Sequence, residues 1–341
     1  MSKVERTVAP RGKLVVKSGF SGYDACLNPY VGCEFGCSYC YVRFTIQDPK
    51  PWGEFVRVRQ HMADRLPKEL SKGFLTLDDG SERIHDEAGK PTYDATTGRL
   101  KRRARKKIMP IDQIRLVLGT MTDPYQPAEG EYRITRTALQ ILTDEKQPQF
   151  RKVGVFTRSP MVLQDVELIK KLPQARVHFT ITPYPKEALR VIEPFSAHTE
   201  TRWEVVRKLK EAGLRVHVNV APVLPGFSEP FIEEFITKLI DLEVDEYFVD
   251  PMQPYKQSFI AFRNACQNLP NVNWPKIEAL MLNRQDYLDW KNDFFLAWNK
   301  VRNKLQHKLP RQLPIWCDHE NKTWVDMRSL TQMNWNTYSE E

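Results

Sequence analysis

Regular alternation of short apolar runs with amphipathic ones constrains this chain's fold more than any other feature. It begins at Ile114 and ends near Asp250. Residues 114–118, 153–157, 176–182, 215–223 and 246–250 read as strands. Residues 132–144, 161–171, 200–212 and 231–241 carry apolar positions at helical spacing, and Gly213 follows the third run where a C-cap belongs. Strand–helix alternation with short connections argues for a parallel sheet with right-handed crossovers. At 341 residues, 41% of them hydrophobic, the chain can bury one large α/β core or two smaller ones. No stretch of about 18 apolar residues exists to span a membrane. The basic, polar residues 1–17 do not read as a secretory signal.

Upstream of the alternation, residues 28–44 read NPYVGCEFGCSYCYVRF. Three residues separate Cys33 from Cys37, two separate Cys37 from Cys40, and Tyr39 precedes the last thiol. Soft thiolates select iron–sulfur clusters, zinc or cuprous ions. A cubane cluster takes four thiolates, one per iron. Three in one short loop leave one iron free, and an open metal position is a place for chemistry. The loop alone also fits a zinc knuckle with a fourth ligand elsewhere, or three structural thiols. Six cysteines in a chain of this length do not form a disulfide framework, which fits a reducing cytoplasmic setting.

The C-x-x-x-C-x-x-C spacing with an aromatic before the third cysteine resembles the radical S-adenosylmethionine (radical SAM) superfamily. The flanks Asn28-Pro29-Tyr30-Val31-Gly32 and Tyr39-Cys40-Tyr41 are similar to its spore photoproduct lyase-like branch. The resemblance implies an α/β fold, a partial (β/α)6-type barrel. It implies a [4Fe–4S] cluster on Cys33, Cys37 and Cys40, with SAM chelating the fourth iron. It also implies reductive cleavage of SAM and hydrogen abstraction by a 5′-deoxyadenosyl radical. An external one-electron reductant of flavodoxin or ferredoxin type would be required.

In α/β barrels the chemistry sits at the C-terminal strand ends. There the chain has Thr120-Met121-Thr122-Asp123, Thr157-Arg158-Ser159, Thr180-Ile181-Thr182, Glu193-Pro194 with Arg202, and Ala221-Pro222. Each resembles a segment of the same branch, in the same order. Thr122, Asp123, Ser159, Thr180 and Thr182 offer groups for the amino end and ribose of SAM, with Glu193 and Arg202 in the same set. Arg158 stands where the family generally has lysine, and would pair with the methionine carboxylate. Ala221 would meet adenine. Tyr39 and Tyr41 flank the cluster and could pass an electron or a hydrogen atom, or simply pack.

The lyase uses a further cysteine as hydrogen donor, and that position falls on Thr120 here. A hydroxyl is a far poorer donor than a thiol. Cys26, Cys266 and Cys317 remain as candidates, of which Cys317 is the first to test, although buried structural thiols are the commoner role. This departure favours a peptide substrate, as in splicease-type enzymes that excise tyramine with a small partner protein. Basic residues favour damaged DNA: Arg99, Lys101, Arg102, Arg103, Arg105, Lys106 and Lys107 account for almost the whole formal charge of +8. A non-catalytic iron–sulfur or zinc protein that binds nucleic acid is the rival from another class.

Residues 1–250 are expected to form the barrel and its lead-in. Residues 74–110, poor in apolar side chains, are expected to be an exposed insertion, a hairpin or flap. Residues 251–341 would be a helical, Trp-rich extension. It includes a long helix at 286–304 with Tyr287, Trp290, Phe294, Phe295 and Trp298 at core spacing, and Trp316, Trp324 and Trp335 beyond it.

Overall fold

The computed structural model describes residues 4–20, 22–46, 48–77, 82–83, 92, 102–103, 106–254 and 256–306. In chain order the strands are β1 (Glu5–Val8), β2 (Val15–Lys17), β3 (Ala25–Leu27), β4 (Tyr30–Val31), β5 (Phe55–Val58), β6 (Phe74–Leu77), β7 (Glu82–Arg83), β8 (Arg102–Arg103), β9 (Lys106–Met109), β10 (Arg115–Leu118), β11 (Lys152–Thr157), β12 (Arg176–Ile181), β13 (Arg215–Val223) and β14 (Glu246–Pro251). The helices are α1 (Met62–Leu70), α2 (Glu129–Tyr132), α3 (Ile134–Leu142), α4 (Val166–Lys170), α5 (Leu189–Ile192), α6 (Thr199–Glu211), α7 (Ile232–Asp241), α8 (Lys256–Cys266), α9 (Trp274–Leu282) and α10 (Arg284–Gln306).

The central sheet runs β14-β13-β12-β11-β10-β3-β2. Its first six members are parallel, and β2 closes the far edge antiparallel. No ladder joins β14 to β2 among the described residues, so this is an open, partial α/β barrel. The expected strands are present. The one that starts the sheet, β3, is only three residues long and gives no periodicity to read.

Alternation of side chains along each strand separates two environments. Val153, Val155, Val177, Phe179, Ile181, Val216, Val218 and Val220 face the helices and are buried in the main core. Their neighbours face inward and are more polar: His178, Thr180, His217 and Asn219 come from β12 and β13. The Tyr23 hydroxyl reaches Nε2 of His178 at 2.6 Å, inside the barrel. Gly154 of β11 leaves room for that ring, since a Cβ there would sit 2.2 Å from the Tyr23 oxygen.

Two elements depart from the sequence pattern for local reasons. The helix expected over residues 132–144 breaks at Arg133, whose φ is +51°. Buried Glu129 reaches forward to accept the N–H groups of Thr135 and Arg136, at 2.9 and 3.0 Å, and so caps α3 separately. The helix expected over residues 161–171 starts as a 3-10 turn, Pro160–Asp165, with the Ser159 hydroxyl accepting the Met161 N–H at 3.3 Å.

The charged insertion is described only in part. β6 pairs antiparallel with β9, and β7 with β8, as a hairpin would. Beyond the sheet, the first part of the expected extension is helical. Tyr287, Phe294 and Trp298 of α10 are buried, as their spacing suggests. Residues 307–341, with Trp316, Cys317, Trp324 and Trp335, lie outside the described residues.

Candidate active site

The three-thiol loop follows β4 and is anchored from several directions. Side-chain Oε1 of Gln126 accepts the Glu34 N–H at 2.9 Å, while Nε2 of Gln126 donates to the Gly32 carbonyl at 3.1 Å. Arg6 pairs with the buried Glu34 carboxylate at 2.6 Å. The Ser38 N–H donates to the carbonyl of Ile192 at the end of α5, at 2.9 Å. The Cys37 carbonyl accepts from the Cys40 N–H at 3.2 Å and from the Arg43 guanidinium at 3.1 Å. Phe35, Cys33, Cys37 and Tyr39 pack into a second apolar cluster with residues of α5, α8 and α9. A large part of the loop's order therefore comes from elements far away in sequence.

Cys33, Cys37 and Cys40 all line one cavity of about 260 Å³ at the C-terminal end of the sheet. Burial pushes each thiol's pKa upward, that of Cys37 to about 12, with the Arg158 charge opposing it. These sulfurs need a bound cation to become thiolates. Among the described residues no group of three or more His, Cys, Asp or Glu side chains converges as a single ion would require. A cubane needs no such convergence, because each thiolate takes a different iron. Three buried thiols around one open cavity therefore suit a cluster.

The loop after β10 supplies the next wall. Gly119 turns it with φ +86°, and a Cβ there would meet Pro124 at 2.4 Å and the Phe156 carbonyl at 2.7 Å. Thr120, Met121, Thr122 and Asp123 then line the cavity. A Gly119→Ala variant is expected to lose about 3 kcal/mol, the sum of left-handed strain and overpacking. Urea unfolding would measure it.

Asp123 accepts from the Thr157 hydroxyl at 2.7 Å, the Arg158 N–H at 2.8 Å and the Tyr125 N–H at 2.8 Å. Burial raises its pKa, and these donors oppose the rise. These bonds shape the turn after β11 and hold the backbone of Arg158 at the cavity.

Arg158 is the cavity's one cation among the described residues. One guanidinium nitrogen, Nη1, donates to the Tyr39 hydroxyl and to Oε1 of Glu193. Glu193 is wholly buried and also accepts from Arg202, from the Tyr184 hydroxyl at 2.9 Å and from Thr182 at 2.9 Å. Burial alone would raise the Glu193 pKa, but Arg202 and Arg158 outweigh it and hold the carboxyl well below the usual range. Arg158–Glu193–Arg202 is thus a buried ionic triad behind the cavity wall. Nε and Nη2 of Arg158 have no protein partner among the described residues, which leaves a two-pronged edge for a ligand carboxylate.

Of the expected cofactor contacts, Thr122, Asp123, Arg158, Thr180 and Ala221 line the cavity. Ser159, Thr182, Glu193 and Arg202 are not among the residues that line it. Ser159 caps the 3-10 turn, and the other three form the network that holds Arg158. The Tyr39 hydroxyl is tied into that network, whereas Tyr41 lines the cavity's edge and is 49% exposed. Cys26 is buried inside the barrel and Cys266 in the second apolar cluster, neither on the cavity. Cys317 lies outside the described residues.

The sequence pattern does not single out Asn219, Phe248, Asp250, Gln253 and Ser258, which also line the cavity. Asn219 and Asp250 belong to the C-terminal halves of β13 and β14, both of which the alternation identifies. The strand-end rule applied to those two strands would find them.

An open α/β barrel with three loop thiols and a cation at one cavity defines a class of enzymes built to hold a cluster beside an anionic ligand. The profile of the radical SAM superfamily matches residues 27–239, and the chain belongs to that superfamily. The family's cofactors, a [4Fe–4S] cluster and SAM, are those of this chain. Among relatives, the uncharacterized protein MJ0683 of Methanocaldococcus jannaschii is 22% identical over 77% of this chain and 88% of its own. ORF301 of Acidianus two-tailed virus is 29% identical over 65% of each chain. Rv2578c of Mycobacterium tuberculosis is 26% identical, and the match spans only 50% of its length. A mutant spore photoproduct lyase with bound AdoMet and dinucleoside spore photoproduct shares the fold, with a TM-score of 0.54 at 13% identity over 89% of this chain and 79% of that one. Another lyase structure gives 0.51 at 15% identity and is covered over 66% of its length. No described helix is long and apolar enough to cross a membrane.

Proposed function

We propose that this enzyme abstracts hydrogen from a peptide. When bound, the cluster supplies the electron that cleaves SAM to methionine and a 5′-deoxyadenosyl radical. Arg158 holds the methionine carboxylate through Nε and Nη2, and the Glu193 network keeps that guanidinium from swinging away. Thr122, Thr180 and Ala221 shape the rest of the nucleotide's bed, and Tyr39 packs beside the thiols while its hydroxyl braces Arg158. Tyr41, on the exposed rim, stands where a reductant or a substrate would approach. The observation that carries the reading is the shared cavity: thiols, cation and open strand ends meet in one space. Thr120 at the wall, where the lyase has its donor cysteine, supports a peptide over a DNA lesion.

Protein reconstituted without oxygen should hold about four iron per chain and release 5′-deoxyadenosine with SAM and dithionite. Arg158→Ala should raise the KM for SAM by roughly 10- to 100-fold, as expected when a charge-assisted pair is removed. Peptides should stimulate turnover with a shallow salt dependence. Stimulation by ultraviolet-irradiated DNA alone, falling steeply with salt, would favour lesion repair instead. A colourless, zinc-loaded protein inert to SAM would overturn both.

A further inference from the structure

Part of the cavity wall is built by β14, Met252, Gln253 and the start of α8. Asp250 lies there, with Phe248 before it and Met252, Gln253 and Ser258 after it. Among the described residues three charged side chains line this cavity: Asp123, Arg158 and Asp250. Asp123 already accepts three hydrogen bonds, and Arg158 is braced by Glu193. Asp250 receives one long hydrogen bond, from Nε2 of Gln253 at 3.3 Å. A carboxylate offers about four acceptor sites. Among the described residues no lysine, arginine or histidine nitrogen lies within 4.0 Å of it. Burial pushes its pKa up to about 6, with the more distant Lys291 of α10 pulling the other way.

A carboxylate held this way inside a working cavity is incomplete without a donor from the ligand. Phosphate would be repelled by it. A flexible aliphatic stem with a cationic head suits the wall, since the stem can lie on Phe248 and Met252 while the head meets the charge.

We propose that Asp250 determines substrate choice by anchoring a basic side chain of the peptide. This rests on the peptide reading above. Among the described residues, the charged groups near Asp250 are Lys291 from α10 and, lining the same cavity, Asp123 and Arg158. β13 and α8 contribute the uncharged Asn219 and Ser258.

The test uses reconstituted holoenzyme with SAM and two probes, N-acetyl-lysine methylamide and its N-acetyl-norleucine counterpart, with binding read by calorimetry. At pH 8 the lysine probe should bind at least about tenfold tighter, a gap of about 1.4 kcal/mol. The gap should close as pH falls through about 6, because Asp250 then loses its charge. Asp250→Asn should abolish the gap at every pH, and Asp250→Glu should restore part of it. Lys291→Met, which removes a competing cation and leaves Asp250 in place, should widen it, and this arm decides if the Asn variant does not fold. Equal binding of the two probes, a gap that survives Asp250→Asn, or tighter binding of thymidylyl-thymidine than of the lysine probe would overturn the proposal. If peptides stimulate 5′-deoxyadenosine formation while the probes bind alike, this inference fails and the peptide reading stands. If only irradiated DNA stimulates it, the peptide reading fails.

Discussion

A Cys37→Ala variant, rebuilt with iron and sulfide in the absence of oxygen, will come out nearly colourless and make no 5′-deoxyadenosine above background. Two thiolates cannot hold three corners of a cubane, so the iron content should drop from about four per chain to well below one. The loop itself should keep its shape. Its anchors are backbone groups and the side chains of Glu34, Gln126 and Arg6, none of which involves the Cys37 sulfur. Cys37 also gives its carbonyl, which alanine retains, to Cys40 and Arg43. Circular dichroism should therefore show a folded protein. Cys26→Ala is the matched control. That thiol is buried inside the barrel and off the cavity, so the variant should stay brown. Loss of colour in both, or in neither, would contradict the assignment of the three loop thiols.

Glu193→Gln should be the most damaging single change to stability. It leaves Arg158 and Arg202 buried together with no counter-charge between them. Breaking a buried ionic group in this way costs about 3–5 kcal/mol. The pH dependence has a definite sign. The Glu193 carboxyl is held far below its ordinary value, so its contribution is complete above the unfolded-state pKa of about 4.3. It is lost as pH falls toward the folded-state value. Wild type should therefore lose stability from about pH 5 downward, and the gap to the variant should narrow by pH 3. A gap that stays constant from pH 7 to pH 3 would show that the charge of Glu193 is not what the triad depends on. A second readout separates structure from function: the variant should also raise the KM for SAM, because Arg158 loses its brace.

Much of the architecture is legible in the chain's own pattern. Strands with strong alternation, such as Arg215–Val223, are long enough to declare themselves. The thiol spacing is local chemistry and survives translation into three dimensions unchanged. β3 escapes notice because three residues carry no period, although it pairs with β10 and β2 and so starts the barrel. The site residues are harder for a different reason. Chain order tells which side chains sit near a strand end, but not which lie on the lining and which one layer behind it. Resemblance groups Glu193 and Arg202 with the cofactor, but gives no sign that they pair with each other. Asp250 draws no attention in the sequence because nothing in its neighbourhood there shows that its carboxylate lacks partners.

That no ladder joins β14 to β2 among the described residues has a consequence for what can be processed. A closed barrel admits only what fits down its mouth, so a polymer must offer a terminus or a tight bend. A sheet left unzipped along one side can receive a chain laid across the slot. An interior unit of a long polymer could then be presented to the radical while both ends stay outside, with no need to thread either one.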